Sequence, residues 1–176
     1  LGDTIKVEIH SKEFGRIATQ NAKNVILQKI REEERRILYD QYYGMEKEVV
    51  TGIVQRVMGR NVSVNLGKAD GILSENEQVK GEEFEPTQRI KVYILEVKET
   101  PKGPRILVSR THPGLVKRLF ESEVAEVRDG TVEIKSIARE AGSRTKIAVW
   151  SNDPDVDPVG ACVGMNGARV NSIVEE

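Results

Sequence analysis

The hydrophobic period of this chain changes from one segment to the next. From Phe14 to Tyr43 apolar residues recur at helical spacing, with Ala18, Ala22, Val25, Ile30 and Ile37 in the stripe and no proline. This predicts one long helix that stops at Gly44. Glu32 stands four residues before Arg36, a favourable helix-surface pair, and the charged run from Arg31 to Arg36 reads as a solvated face. Before the helix, Thr4 to Ile9 alternates β-branched and polar residues and predicts a half-buried strand.

From Glu46 to Arg110 the period is two. Val49–Val54, Asn61–Leu66, Gly71–Leu73, Ile90–Val97 and Ile106–Val108 read as five short strands, with Pro101-Lys102-Gly103-Pro104 a turn before the last. That density of short strands predicts a five-stranded antiparallel barrel of the OB type. The interval Ser74–Gln88 is long, acidic and rich in turn residues.

The third segment opens at Thr111-His112-Pro113, with Pro113 at a first helical position and Leu115, Val116, Leu119 and Phe120 as an apolar face. Asp129-Gly130 is a turn. Thr131–Ala138 and Thr145–Trp150 read as strands, and a helix starts at Asp157-Pro158. The predicted fold class is therefore multidomain α/β: a strand and long helix (1–44), a barrel (45–111) and a small α+β module (112–176).

Composition narrows the chemistry. The chain has 176 residues, 31% of them charged, at a formal net charge of −1. No global basic field marks a nucleic-acid binder, so an RNA surface must be a local patch. One cysteine excludes an internal disulfide framework, and a reducing, cytoplasmic setting fits. No apolar run is long enough to span a membrane. Asp153, Asp155 and Asp157 imitate the start of a calcium loop, but Pro158 stands where that loop needs glycine and Gly164 where it needs glutamate. Asp157 reads instead as a helix cap. Cys162, His10 and His112 follow no ligand spacing, and no phosphate-binding glycine loop occurs. Neither a catalytic group, a metal nor a cofactor is expected.

The candidate site is the turn Gly164-Met165-Asn166-Gly167, followed by Ala168 and Arg169. Apolar Val159, Cys162 and Val163 precede it, and Val170, Ile173 and Val174 follow at helical spacing. Glycines at both ends let backbone amides lie close to sugar and phosphate, and the next helix adds the positive end of its dipole. A Gly-x-x-Gly turn between helices is how KH modules clamp a single strand. It also occurs as an ordinary turn. Arg169 reads equally as a phosphate contact or a solvated helix position. Trp150 reads as core or edge packing more readily than as a stacking platform.

Four runs carry a family resemblance: Phe14-Gly15-Arg16-Ile17-Ala18 with Ala22-Lys23; Gly103 to Leu115, including Ser109-Arg110-Thr111-His112-Pro113-Gly114-Leu115; Ala138-Arg139-Glu140-Ala141-Gly142; and Asp153 to Gly160. Together they resemble the NusA family of bacterial transcription termination/antitermination proteins. The order of elements resembles a prokaryotic (type II) KH module lacking its last strand, behind an S-one-type RNA-binding barrel. The resemblance implies a non-enzymatic factor that rides on RNA polymerase through an N-terminal domain and touches nascent single-stranded RNA, with other antitermination factors as further partners. The barrel lacks the usual stacking aromatics in its second and third strands, so its RNA contacts would fall to Arg56, Arg60, Lys68, Lys98 or Arg105. A β-rich continuation is expected within about ten residues of Glu176. Two other readings stay open: an RNA-processing fragment of the exoribonuclease type, which usually has KH before the barrel, and a translation-associated module using the barrel alone.

Overall fold

The computed structural model describes Lys6 and residues 15–176. The strand expected over Thr4–Ile9, together with His10 and Phe14, lies outside the described residues, Lys6 apart.

The long helix α1 runs Arg16–Tyr43. Gly44 closes it in right-handed geometry, φ −64°, so this stop does not use glycine's left-handed freedom. Ionic pairing on its surface differs from expectation. Glu32 pairs with Lys29 at 2.8 Å and Arg36 with Glu33 at 2.8 Å. Both are one-turn pairs, and such exposed contacts contribute little. The stripe Ala18, Ala22, Val25, Ile30 and Ile37 is exposed. The last turn packs on the barrel through Leu38, Tyr39 and Tyr42. Tyr42 is the anchor. It is 2% exposed, and its hydroxyl donates to the Leu66 carbonyl at 3.1 Å while accepting from the Lys68 and Ala69 amides at 3.1 and 3.2 Å.

Five strands follow: β1 (Val49–Met58), β2 (Asn61–Asn65), β3 (Asp70–Leu73), β4 (Arg89–Thr100) and β5 (Gly103–Ser109). They close into a barrel in the order β1-β2-β3-β5-β4. Each expected strand is present, with one correction: β3 pairs with β5 in parallel. Five strands cannot alternate in direction around a closed ring, so one neighbouring pair must run parallel. β1 and β4 extend beyond the segments that alternation marks. Each carries a bulge, between Val54 and Arg56 and between Ile94 and Glu96, which breaks the period and bends the strand. Val62, Val64, Leu73, Val92, Ile94 and Val108 fill the interior.

The third module contains α2 (Pro113–Glu123), α3 (Ala125–Arg128), β6 (Val132–Glu140), β7 (Arg144–Ser151), α4 (Pro158–Val163) and α5 (Ala168–Glu175). β6 and β7 form an antiparallel two-stranded sheet. Val116, Phe120, Val124, Val132 and Cys162 form the core, with Ile134, Ile147, Val149, Val170 and Ile173 around it. The short helix α3 has no counterpart in the sequence reading. Its four residues are too few to show a period. The last helix splits by face: Val170 and Ile173 join this core, while Val174 is 77% exposed.

Barrel and third module meet without a spacer, and the run Ser109–Leu115 makes the joint. Ser109 Oγ accepts from the amides of Thr111 and His112. His112 caps α2 by accepting the Gly114 amide on Nδ1 at 2.9 Å, and its ring stacks on Tyr93 of β4 with centroids 4.7 Å apart. A Cβ at Gly114 would stand 2.6 Å from the Tyr93 ring, so this approach admits only glycine.

Two outcomes follow for the Tyr42 anchor. Tyr42→Phe removes the hydroxyl from its three backbone partners and should lower unfolding free energy by about 1–3 kcal/mol in urea melts. Amide exchange at Lys68 and Ala69 should accelerate. An unchanged midpoint would show that the hydroxyl does not hold helix to barrel.

Candidate nucleic-acid interface

The glycine turn is built from both flanks. Asp157 caps α4 through Oδ1 and Oδ2, accepting the Val159 and Gly160 amides at 3.1 Å each, with Pro158 at the first helical position. The acidic trio is thus turn and cap: Asp153 Oδ1 accepts the Asp155 amide at 2.9 Å. Helix α4 ends where the Gly164 amide donates to the Gly160 carbonyl at 2.9 Å. Gly164 then adopts φ 74°, ψ 176°, a region essentially reserved for glycine. Asn166 (φ 53°) and Gly167 (φ 78°) are left-handed, and α5 starts at Ala168. Asparagine is among the residues that tolerate this geometry. Met165 stands at the tip, 86% exposed. The turn therefore projects from the module with α5's N-terminus behind it.

Arg169 does not reach outward. Its Nη1 donates to Glu126 Oε2 of α3 at 2.9 Å and to the Ala161 carbonyl of α4 at 2.7 Å. The side chain lies so close under the turn that a Cβ on Gly164 would stand 2.8 Å from Arg169 Cγ. These partners give Arg169 a role beside the two read from sequence, phosphate contact and solvated position. Here Arg169 is a brace that ties α5 to α3 and α4. Cys162, two residues before Gly164, is buried. Burial first, and the Glu126 carboxylate second, push its thiol pKa up, against a smaller opposing effect of Arg169.

The five candidate cations of the barrel fall on different strand junctions. Arg56 is on β1 opposite Ser63, and Arg60 is in the β1–β2 turn, 3.3 Å from Glu75. Lys68 lies in the β2–β3 loop, its amide on Tyr42. Lys98 and Arg105 face each other across β4 and β5, and Lys98 also pairs with Glu96 at 3.2 Å. All five are exposed.

The residue that sequence reading missed is Arg110. It is 5% exposed. Nε and Nη2 grip both oxygens of Glu82 at 2.9 and 2.6 Å, Nη1 donates to the Lys91 carbonyl at 2.6 Å, and Nη2 also donates to the Glu176 carbonyl at 2.5 Å. Glu82 belongs to the long acidic loop, Lys91 to β4, and Glu176 follows α5. One guanidinium thus joins the barrel, its loop and the third module. Arg139, close by on β6, donates to the His112 carbonyl at 3.1 Å. Burial first, then the charge of Arg110, lower its pKa, while Glu82 opposes the shift.

A closed five-stranded barrel joined to an α+β module that projects a glycine turn between two helices is the arrangement of an OB-type barrel followed by a KH-like module. Family models agree along nearly the whole chain: the NusA N-terminal domain matches residues 1–36, the S1 RNA binding domain 44–109 and the NusA-like first KH domain 110–176. Curated relatives named transcription termination/antitermination protein NusA are 55% identical in Bacillus subtilis, 53% in Halalkalibacterium halodurans and 44% in Thermus thermophilus. Each match covers 100% of this chain and 46–47% of the relative, so the chain spans just under half their length. The chain belongs to the NusA family.

Two checks address this region. Glu82→Ala strands a buried guanidinium and should cost about 3–5 kcal/mol in a denaturant melt; a loss below about 1 kcal/mol would show that water replaces the carboxylate. The Cys162 thiol should alkylate with iodoacetamide far more slowly in the folded chain than in denaturant. Equal rates in both states would contradict its burial.

Proposed function

We propose that this chain is the RNA-contacting part of a bacterial transcription elongation factor that modulates pausing, termination and antitermination. It works in the cytoplasm and catalyses no reaction. Residues 1–44 belong to an N-terminal domain that meets RNA polymerase, 45–111 to the barrel and 112–176 to the first KH module, and other antitermination factors dock on the same assembly. The observation that carries this reading is the glycine turn: positive φ at Gly164, Asn166 and Gly167, an exposed tip, and a helix N-terminus behind it, within a segment that the NusA-like first KH domain matches.

The proposed RNA contacts are the backbone of Gly164, Met165, Asn166, Gly167 and Ala168. Backbone amides and a helix dipole attract phosphate without a side-chain cation. Arg169 serves this surface by bracing it. Arg56, Arg60, Lys68, Lys98 and Arg105 supply weaker, separate contacts from the barrel. Barrel-before-KH order opposes the phosphorolytic reading, and the built turn leaves no reason to assign the barrel alone to translation.

Met165→Asp with Asn166→Asp tests this assignment. The exposed tip tolerates polar change, so the fold should hold. Two negative charges at the phosphate position should weaken binding of short single-stranded RNA at least tenfold, with little dependence on sequence. Unaltered affinity in the folded double variant would move the RNA site elsewhere. Arg169→Ala should reduce thermal stability, since it unties α5 from Glu126, and should leave the salt slope of binding nearly unchanged. A slope smaller by about one counterion would instead place Arg169 on a phosphate.

A further inference from the structure

Trp150 is 59% exposed at the end of β7, and the core reading of this residue does not hold. Its surroundings make a surface. Helices α2, α3 and α4 pack on the β6–β7 sheet, and Val132, Ile134, Ile147 and Val149 point into that core. The alternate residues of β7, Arg144, Lys146, Ala148 and Trp150, are all exposed and share the opposite face. Across the ladder Ala148 faces Ser136, and Lys146 faces Ala138. The middle of the face is therefore flat and small, with an indole at one end and cations along the strand.

The acidic groups here are Glu133, opposite Trp150, and Glu140, opposite Arg144. Glu133 is occupied by Lys135 and by Asn152 Nδ2 at 2.8 Å; the Lys135 bond first, then Asn152, lowers its pKa. Glu140 lies 3.8 Å from Arg144. Lys146 has no ion pair among the described residues. A flat platform that offers one exposed aromatic face and a cation two same-face positions along the strand matches the chemistry of an unpaired nucleotide: a base with a π-face and a phosphate beside it. Successive same-face residues are spaced about 7 Å apart, so a stacked base at Trp150 leaves its backbone over Ala148 and Lys146.

We infer that the open face of the β6–β7 sheet is a second single-strand RNA contact, separate from the glycine turn, in which Trp150 stacks an unpaired base and Lys146 meets the adjoining phosphate. The inference rests on the RNA-binding reading above and adds a site to it. It also supplies an aromatic stack to a chain whose strands β2 and β3 contain no aromatic residue.

Trp150 is the sole tryptophan in the sequence, so its emission reports on this face alone. The chain is titrated with an unlabelled single-stranded RNA 12-mer of mixed sequence, with the corresponding duplex, and in parallel with the labelled 12-mer read by anisotropy. The single strand should quench Trp150 saturably, with the midpoint found by anisotropy, and the duplex should not. Trp150→Ala should weaken anisotropy binding by roughly 5- to 150-fold, the range for one base–aromatic stack, and Trp150→Phe by less. Lys146→Glu provides a second variant should the alanine form melt early, and it should weaken binding too. Anisotropy binding with unchanged emission and unchanged affinity in both variants overturns the inference and leaves the glycine-turn site standing. Absence of any RNA binding brings down both. Quenching without RNA that grows with protein concentration overturns it in favour of a second copy of this chain on the face.

Discussion

The guanidinium of Arg110 cannot move without stranding a charge in a nearly closed site. Its side chain is 6% exposed, and that of Glu82 is 22%. Desolvating such a pair costs several kcal/mol per ion, and the cost is offset only when the geometry is good and the remaining donors are satisfied. Here Glu82 takes two N–H groups as a fork, and the Lys91 and Glu176 carbonyls take others. The backbone amide of Arg110 adds a bond to the Glu77 carbonyl at 2.9 Å. A lysine could not hold these positions, because one ammonium lacks the planar fork. The long loop after β3 takes its course because Glu82 must reach this point. The third module sits where it does because Arg110, His112 and Gly114 leave the chain little freedom between β5 and α2.

The same logic of commitment separates the two kinds of cation in this protein. Arg110, Arg118 and Arg169 are committed to partners within the chain: Arg118 joins α2 to the Lys47 carbonyl and to Glu48, and Arg169 joins α5 to Glu126. Arg56, Arg105 and Lys146 stand on the surface. With a net charge of −1, the chain has no surplus to spread. On the function proposed above, RNA affinity comes from backbone amides, a helix terminus and stacking, with few phosphate-neutralising side chains. Such a surface predicts a shallow dependence of binding on salt.

Most of the fold was legible because it follows short-range rules. Strict alternation marks β2, where Val62 and Val64 are interior. Proline at Pro113 and Pro158 marks two helix starts, and Asp157 is the cap its position suggests. The turn was legible because glycine spacing is local. What was not legible depends on distant partners. Arg110 finds Glu82 28 positions away, and Arg169 finds Glu126 43 positions away. Nothing in the immediate neighbourhood of either arginine tells a brace from a phosphate contact. The run Ser109–Leu115 did stand out as part of a family signature, and its structural meaning is the joint between barrel and third module. The core half of the Trp150 reading fails because a tryptophan ending a strand is apolar by type, while its exposure depends on which face the helices cover.

The proposed role of this surface rests on one contact, RNA backbone against the glycine turn. Backbone amide chemical shifts of the isotopically labelled chain, recorded while a short single-stranded RNA is added, test it most directly. The largest changes should fall on Met165, Asn166, Gly167 and Ala168, and a duplex of the same sequence should leave them in place. Saturable RNA binding that shifts barrel amides and leaves these four unmoved would contradict it.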